Sequence, residues 1–520
     1  MPSFDAVVIG AGVNGLACAG RLSKAGLKVQ LVDQAAQVGG AMATREFAPG
    51  YRVSAVAHLV NALDARVESG LDLARHGLKW SARDLATTAL GENGDHLVLC
   101  GAFGERLDGS ISAADRAAWT ELRVRLLRFA AVLAPFKAMS PPRLAANAGN
   151  DLIALAKIAL KLRLLGRDDM REFLRLLLIN VADVVEDEFA DDRLKGLIAF
   201  DATLGAHLGP RSPNTLILLL NRLASQAAGT VAGLALPKGG MGAVAAAMAN
   251  AVAELGVDVR ANAPVRRVLV EGDRAVGVEL QCGEIIRARH VVSAANPKTT
   301  FLDLVGRPQL DTGFVRRTRS IRMRGGAAKF HLALSGAPDF RGADLTSRLV
   351  IAPSVNAVEN AFNAVKYNRF SEKPVMEIIV PSAFEDGLAP AGHHVLSAIV
   401  QFAPREVEGG WNDRRGAFGE RIMATLEAHA PGISGLIVAA QMLSPEDIER
   451  DYSMIGGDWH HGELAVEQML FLRPAVGAAG YATPVPGLWL AGAGSHPGGG
   501  VSGAAGWNAA ERLIGSEGAQ

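Results

Sequence analysis

The chain has 520 residues, 49% apolar and 20% charged, which suits a core-forming protein of two or three domains at the usual ~100–200 residues each. Its 53 basic residues balance 53 acidic ones, which excludes the basic excess of a general nucleic-acid binder. Cys18, Cys100 and Cys282 stand far apart with no C-x-x-C pair, which argues against a disulfide framework, a zinc ribbon or a dithiol centre and fits a reduced, cytoplasmic setting with no metal site.

The N-terminal stretch MPSFDAVVIGAGVNGLACAG is apolar, but it lacks a basic n-region and Asp5 interrupts it, so it does not read as a signal peptide. The pattern predicts a strand over 6–9, a glycine turn, a helix over 16–25 stopped by Gly26, and a second strand ending at Asp33. Gly10, Ala11, Gly12, Val13, Asn14 and Gly15 form G-x-G-x-x-G. Gly10 permits the tight turn, Gly12 lets the backbone approach a pyrophosphate, and Gly15 lets helix and strand pack closely. The helix start then offers free N–H groups and a positive dipole end to phosphates. Asp33, eighteen residues past Gly15, is placed to accept hydrogen bonds from a ribose. The alternative is a glycine turn with no ligand, which leaves the acid and the second strand unexplained.

After Asp33 comes QAAQVGGAMATREF, with Gly39-Gly40, Ala41 and then Thr44-Arg45. This segment resembles the second flavin fingerprint of FAD enzymes, which an NAD dehydrogenase does not need, and it implies FAD as cofactor. His58, in YRVSAVAHLVNAL, follows closely and either lines the cavity or is satisfied in the packing.

Residues 110–234 are rich in helix formers, and REFLRLLLINVADVVEDEF has apolar positions at three- and four-residue spacing. Within them, the stretch 152–167 puts Leu155, Ile158, Leu162 and Leu165 on one stripe and Lys157, Lys161, Arg163 and Arg167 on the other side. That pattern fits a surface helix over the core, or a peripheral contact with a membrane surface that admits a lipophilic substrate. The same cations break the best transmembrane candidate. The segments AAKFHLALSG, PVMEIIVPS and HHVLSAIVQF read as strands. Lys329 sits inside the first of them, where burial without a partner is costly; it either snorkels from an edge strand or serves the site. His461, in GGDWHHGELAVEQ, either moves protons near neutral pH or caps a helix beginning at Gly462-Glu463.

Two blocks carry a wider resemblance. Residues 235–297 resemble the middle FAD-domain segment of the phytoene desaturase-like flavoproteins, and GLWLAGAGSHPGGGVSGAAGWNAA resembles the C-terminal segment of carotenoid desaturases and isomerases. A narrower likeness, in 189–215, 374–404 and 456–474, is to the pyridine nucleotide-disulfide oxidoreductase domain-containing protein 2 branch. The resemblance implies an α/β fold: a Rossmann-like FAD-binding domain of the glutathione reductase/amine oxidase type with an inserted α+β substrate domain. The FAD-binding domain would be discontinuous, over 1–75, 235–305 and 478–520. The substrate domain would have a helical part over 110–234 and a mixed-sheet part over 310–477.

Residue roles follow by the same resemblance. Val265 would contact the adenine through its backbone. Lys329 would hold a water at flavin N5, as in flavoprotein amine oxidases, and His461 falls on the histidine of the narrower branch. Gly492, Gly494, His496, Gly500 and Val501 would pass beside the ribityl chain and the ring, with a helix from near Val501 aimed at flavin N1 and C2=O. Many such enzymes carry an acid after this strand, where this chain has Gly-Ser-His. The activity implied is hydride removal from a lipophilic, unsaturated, carotenoid-precursor-like molecule, with oxygen or quinone as acceptor. A flavin amine oxidase and a low-turnover flavin-containing interaction protein are the alternatives, and the oligomeric state is open.

Overall fold

The computed structural model describes residues 3–142 and 149–517. The apolar run at the N-terminus forms a strand, Phe4–Ile9, at the middle of a seven-stranded sheet. It pairs in parallel with Val29–Val32 on one side and with Ile285–Ser293 on the other. Asp258–Arg260 extends the sheet beyond Val29–Val32, and Leu488–Leu490 joins it in parallel with Ile285–Ser293. Val265–Glu271 and Arg274–Leu280 complete it as an antiparallel meander. Three separated stretches of the chain therefore share one sheet, which gathers residues distant in sequence at its rim.

Alternation fixes what each face buries. Ala6 and Val8 pack with the helices Val13–Lys24, Gly242–Glu254 and Ala504–Glu517, whereas Val7 and Ile9 pack with Phe301 and Phe314 on the opposite face. The first helix starts at Val13, three residues before its expected start, and ends at Lys24. Two glycines set how closely it sits. A Cβ on Gly15 would lie 1.8 Å from the Gly10 carbonyl oxygen, and one on Gly506 would lie 1.8 Å from the Asn14 carbonyl oxygen. The first helix is thereby clamped between the first strand and the C-terminal helix.

The second sheet has eight strands, in the order Ile437–Leu443, Ala327–Leu334, His394–Gln401, Val375–Ile379, Arg348–Ile351, Thr87–Ala89, Leu97–Cys100 and Arg106–Asp108. Neighbours are antiparallel except Arg348–Ile351 with Thr87–Ala89. One face, with Phe330, Leu332, Met376, Ile378, Leu396 and Ala398, packs on the helix Trp411–His429. Alternation sends Lys329, His331, Glu377 and Ser397 to the other face. Towards Val350 and Val375 that face is covered by the helices Asp192–Thr203 and Leu216–Leu223. Further along it meets the hairpin Thr44–Ala48/Tyr51–Ser54 of the nucleotide-binding part, with Tyr51 and Val53 against Ala333 and Val395.

The glycine contacts give a direct test. Gly15→Ala should lower unfolding free energy by at least about 1–3 kcal/mol and cut FAD retention. The exposed helical Gly416, around which an added Cβ meets nothing within 4 Å, should instead gain about 0.5–1 kcal/mol as Gly416→Ala. Equal effects of the two in thermal unfolding would contradict the clamp.

Candidate functional site

A cavity of about 1300 Å³ runs between the two sheets. Gly10, Gly12, Asn14 and Gly15 line one end of it, together with Asp33, Gly39, Gly40, Ala41, Thr44, Arg45 and Val265. No side chain caps the helix that starts at Val13, so its first N–H groups lack intrahelical partners and face a polar ligand or water. Space is left for that ligand: a Cβ on Gly12 would meet nothing within 4 Å, and one on Gly40 would meet only the Gly12 Cα, at 3.7 Å. The Asn14 Oδ1 is buried with no hydrogen-bond partner. The Gly39 N–H donates to the Ala11 carbonyl at 2.9 Å, which holds the second glycine pair on the first. Ala11 itself is buried away from the cavity. Its N–H and that of Ala35 donate to the two Asp33 oxygens at 2.6 and 2.7 Å. A carboxylate offers about four lone-pair sites, so Asp33 is aimed and still has capacity for ribose hydroxyls.

One wall of the cavity is backed by buried polar side chains. Lys329 belongs to a strand paired on both sides, to Ile399 and to Leu443, so an edge-strand route to solvent is closed. Its side chain is fully buried and off the cavity surface. The ammonium donates to Ser397 Oγ at 2.9 Å and to His58 Nδ1 at 3.0 Å. That assigns the His58 proton to Nε2, which donates to Glu377 Oε1 at 2.9 Å. Glu377 Oε2 accepts from Arg348 Nε at 2.6 Å, Arg348 also donates to Asp201 at 2.6 Å, and Arg222 lies 2.7 Å from Asp201. His58, Glu377, Asp201 and Arg222 line the cavity.

His58 is thus not a packing residue only. Yet both its ring nitrogens are spent on neighbours, which makes it a positioning group for Lys329 rather than a free acid or base. Burial, then the Lys329 charge, pushes the His58 pKa down to about 4, and burial pushes Lys329 down to about 7. Burial alone would raise the Glu377 carboxyl, but Arg348 and His58 outweigh it and hold the group well below the carboxylate range. Glu377, Arg348 and Ser397 complete this polar network, and the sequence reading misses them. For Glu377 a signal exists, since it interrupts an otherwise apolar run (VM and II on either side) as Lys329 does, whereas Arg348 follows Thr346-Ser347 and only precedes the apolar LVI.

Trp459, His460 and His461 line another stretch of wall, with Gly499, Gly500 and Val501. His461 caps no helix: it sits at φ 55°, and the next ordered turn is the short 3-10 segment Val466–Gln468. Its Nδ1 is buried without a partner, and burial followed by the Arg473 charge brings its pKa down to about 4, so it is a neutral imidazole at the cavity. The fully buried Arg473 donates to the carbonyls of His460 and Ala493 at 2.5 and 2.9 Å and to that of Ser495 at 3.3 Å. It therefore ties the histidine loop to the C-terminal turn.

Part of that turn differs from the sequence expectation. Gly492 and Gly494 do not reach the cavity: a Cβ would lie 2.5 Å from the Ala294 carbonyl oxygen and 2.3 Å from Pro297 Cγ, so both make room for protein backbone and proline. His496 is also off the cavity, held by a 2.6 Å contact from its Nε2 to the Phe136 carbonyl oxygen. The last helix begins at Ala504, not near Val501, and its first turn is buried against the first helix. Gly500 and Val501 alone of the five expected C-terminal residues line the cavity.

Residues 14–514 match the family described as flavin containing amine oxidoreductase. The chain is 31% identical to "Pyridine nucleotide-disulfide oxidoreductase domain-containing protein 2" of Mus musculus, over 98% of this chain and 93% of the relative. It is 26% identical to a limonene dehydrogenase subunit of Castellaniella defragrans, over 98% and 94%. It is 28% identical to "Phytoene desaturase (neurosporene-forming)" of Cereibacter sphaeroides, over 52% and 51%. Among solved structures, cyclohexylamine oxidase of Brevibacterium oxydans shares the fold, with a TM-score of 0.60, 17% identity and 100% of both chains covered. The cofactor is FAD. The uncapped helix start, the open space over Gly12 and the unpartnered Asn14 oxygen fit its pyrophosphate end.

Lys329 supplies a test of the buried wall. Its folded pKa of about 7 lies below the ordinary lysine value of 10.5, so between those values the unfolded chain binds the extra proton and stability gains as pH rises. The unfolding free energy of the wild type minus that of Lys329→Met should climb between about pH 7.5 and 9.5, by up to about 1.4 kcal/mol per pH unit. A flat difference would show a lysine of ordinary basicity.

Proposed function

The chain belongs to the flavin-containing amine oxidoreductase family, and from that premise we propose that it oxidises a lipophilic, unsaturated small molecule by hydride transfer. The observation that carries this reading is the state of the cavity wall. Asp33, Glu46, Asp303, Glu449 and Asp451 also line the cavity, but Asp201 and Glu377 are each paired to arginine, so neither of these two is free to bind an ammonium substrate. Between them the lining is aliphatic, with Val56, Leu59, Ala202, Leu204, Leu218 and Ile399. Among the described residues, Tyr452 and Trp459 are the only Phe, Tyr or Trp on the lining. An apolar, elongated molecule suits such a wall.

Bound FAD supplies the two-electron acceptor for the hydride. The protein's part is to hold the substrate against the Ile399 wall, keep that wall dry and receive the proton. His461, neutral and with Nδ1 unpartnered at the cavity, is the group we assign to proton acceptance. Lys329 stays fixed by His58 and Ser397 and sets the positive charge behind the wall. Oxygen or a quinone then accepts the electrons. The names of two relatives, one a limonene dehydrogenase component and the other a phytoene desaturase, support a hydrocarbon-like substrate.

Access from a membrane surface belongs to the same proposal. Ile153, Leu160 and Leu164 are 56%, 56% and 75% exposed, alongside exposed Lys157 and Lys161, whereas Leu162 and Leu165 of the same stretch pack on the helical core. The side chains of Leu152 and Ile158 lie outside the described residues. No helix among the described residues is long and apolar enough to cross a membrane.

Anaerobic mixing of the holoenzyme with a panel of terpenoid alkenes, polyenes and primary amines tests the reading. An alkene or polyene should bleach the flavin absorbance and the amines should leave it unchanged. Flavin reduction by an amine, with hydrogen peroxide release in air, would replace this reading with an amine oxidase. Reduction by no member of the panel would favour a low-turnover flavoprotein.

A further inference from the structure

Three cations on the cavity, Arg45, Arg52 and Lys137, are outside the ion pairs found among the described residues; the two arginines are exposed, whereas Lys137 is partly buried. Lys137 ends the helix Ala113–Lys137 and lines the cavity. Its ammonium donates to the Asn221 carbonyl at 2.8 Å and to Ser225 Oγ, both neutral acceptors. None of the ion pairs found among the described residues includes it. Asp64 is the carboxylate that acts on it, and Asp64 is already engaged: its oxygens take Arg66 Nε and Nη2 at 3.0 and 2.7 Å, and the Arg66 N–H at 2.8 Å. The neighbouring imidazoles, His460 and His496, are kept neutral by burial, with pKa values of about 3 and about 4. Arg222, adjacent on the lining, is matched by Asp201. Burial lowers the Lys137 pKa to about 8, so the group still carries its charge at pH 7.

An ammonium has three N–H groups, and neutral partners here take two. Beside it on the cavity wall, the Asn221 side-chain amide makes no hydrogen bond among the described residues, so it offers two further donors. An uncompensated cation with adjacent amide donors, on a cavity that also carries aliphatic residues such as Leu204 and Leu218, is a recognition site for an anion. We propose that Lys137, with Asn221, binds a carboxylate on the substrate, so that the substrates are lipophilic unsaturated acids rather than plain hydrocarbons. The inference rests on the reading of the cavity as an oxidoreductase site for lipophilic molecules. FAD brings anionic groups of its own. Its pyrophosphate has the uncapped helix start at Val13, but a negative charge on the reduced flavin is a second source of the same chemistry, and the test must separate it from a substrate carboxylate.

The experiment is equilibrium binding of retinoate and of methyl retinoate to the oxidised holoenzyme, read by the shift they cause in flavin absorbance and by calorimetry, for the wild type, Lys137→Met and Lys137→Arg. The wild type should bind the acid at least about tenfold tighter than the ester, which corresponds to about 1.4 kcal/mol. Lys137→Met should abolish that preference with FAD content unchanged, and Lys137→Arg should keep part of it. Equal binding of acid and ester by the wild type, or a preference that survives in Lys137→Met, overturns the proposal. Photoreduction supplies the second arm. A red anionic semiquinone in the wild type that turns blue and neutral in Lys137→Met, with no acid preference in either, would assign the charge to the flavin instead. Binding of neither compound would defeat the lipophilic reading itself, whereas binding of both alike defeats only the carboxylate.

Discussion

Burying the Lys329 ammonium in an interior strand of the eight-stranded sheet is the constraint on which the rest of the cavity wall depends. An isolated charge there would cost many kcal/mol, and the strand's pairing on both sides leaves no path to water. The solution is a chain of partners: Ser397 and His58 on the lysine, Glu377 on His58, then Arg348, Asp201 and Arg222. Two carboxylates balance two guanidiniums, and the lysine proton is the one charge in excess. Burial lowers the Lys329 pKa to about 7, against the opposing pull of the Glu377 charge. The network leaves Nη1 of Arg348 without a hydrogen-bond partner, but it engages Asp201 and Glu377, which would otherwise recruit a cationic ligand.

The same economy appears at the C-terminal side. Arg473, buried and bonded to backbone carbonyls rather than to a carboxylate, fastens the loop of Trp459, His460 and His461 to the turn that ends at Val501. Burial lowers its pKa to about 10, still high enough to keep it charged, and its field helps keep both histidines neutral. The cavity thus lies between two walls that are each locked by an arginine. The glycine end, with its uncapped helix and unfilled space over Gly12, is left for the phosphates.

Legibility in the sequence followed the range of the interactions. The nucleotide end depends on contacts between neighbours along the chain, so its glycines, its acid and the fingerprint around Gly39-Gly40 were all readable, and only Ala11 turned out to face inward. The C-terminal turn was readable as close to the same sheet, but not which glycines serve a ligand. Gly492 and Gly494 are small because of Ala294 and Pro297, two hundred residues earlier, and His496 answers a carbonyl at Phe136. The polar wall was half visible. Lys329 stands out as a charge in an apolar strand, and Glu377 carries the same mark, yet no spacing in the sequence says that strand pairing brings the two to one face. Lys137 gave no signal at all, because a lysine at a helix end is an ordinary sight until the cavity beside it is seen.

The central claim is that one cavity between the two sheets holds FAD along its glycine-lined end and presents the reacting part of the cofactor to the wall built on Lys329. A crystal structure of the FAD-loaded protein tests this most directly. The account predicts pyrophosphate oxygens about 2.7–3.2 Å from the N–H groups that open the helix at Val13. It also predicts the adenosine beside Asp33 and Val265, and the ring system between His58 and the Gly499–Val501 turn, with the Lys329–His58 bond intact. A cofactor lying the other way round, or a ring system seated against Lys137 and Asn221 and remote from His58, would contradict it.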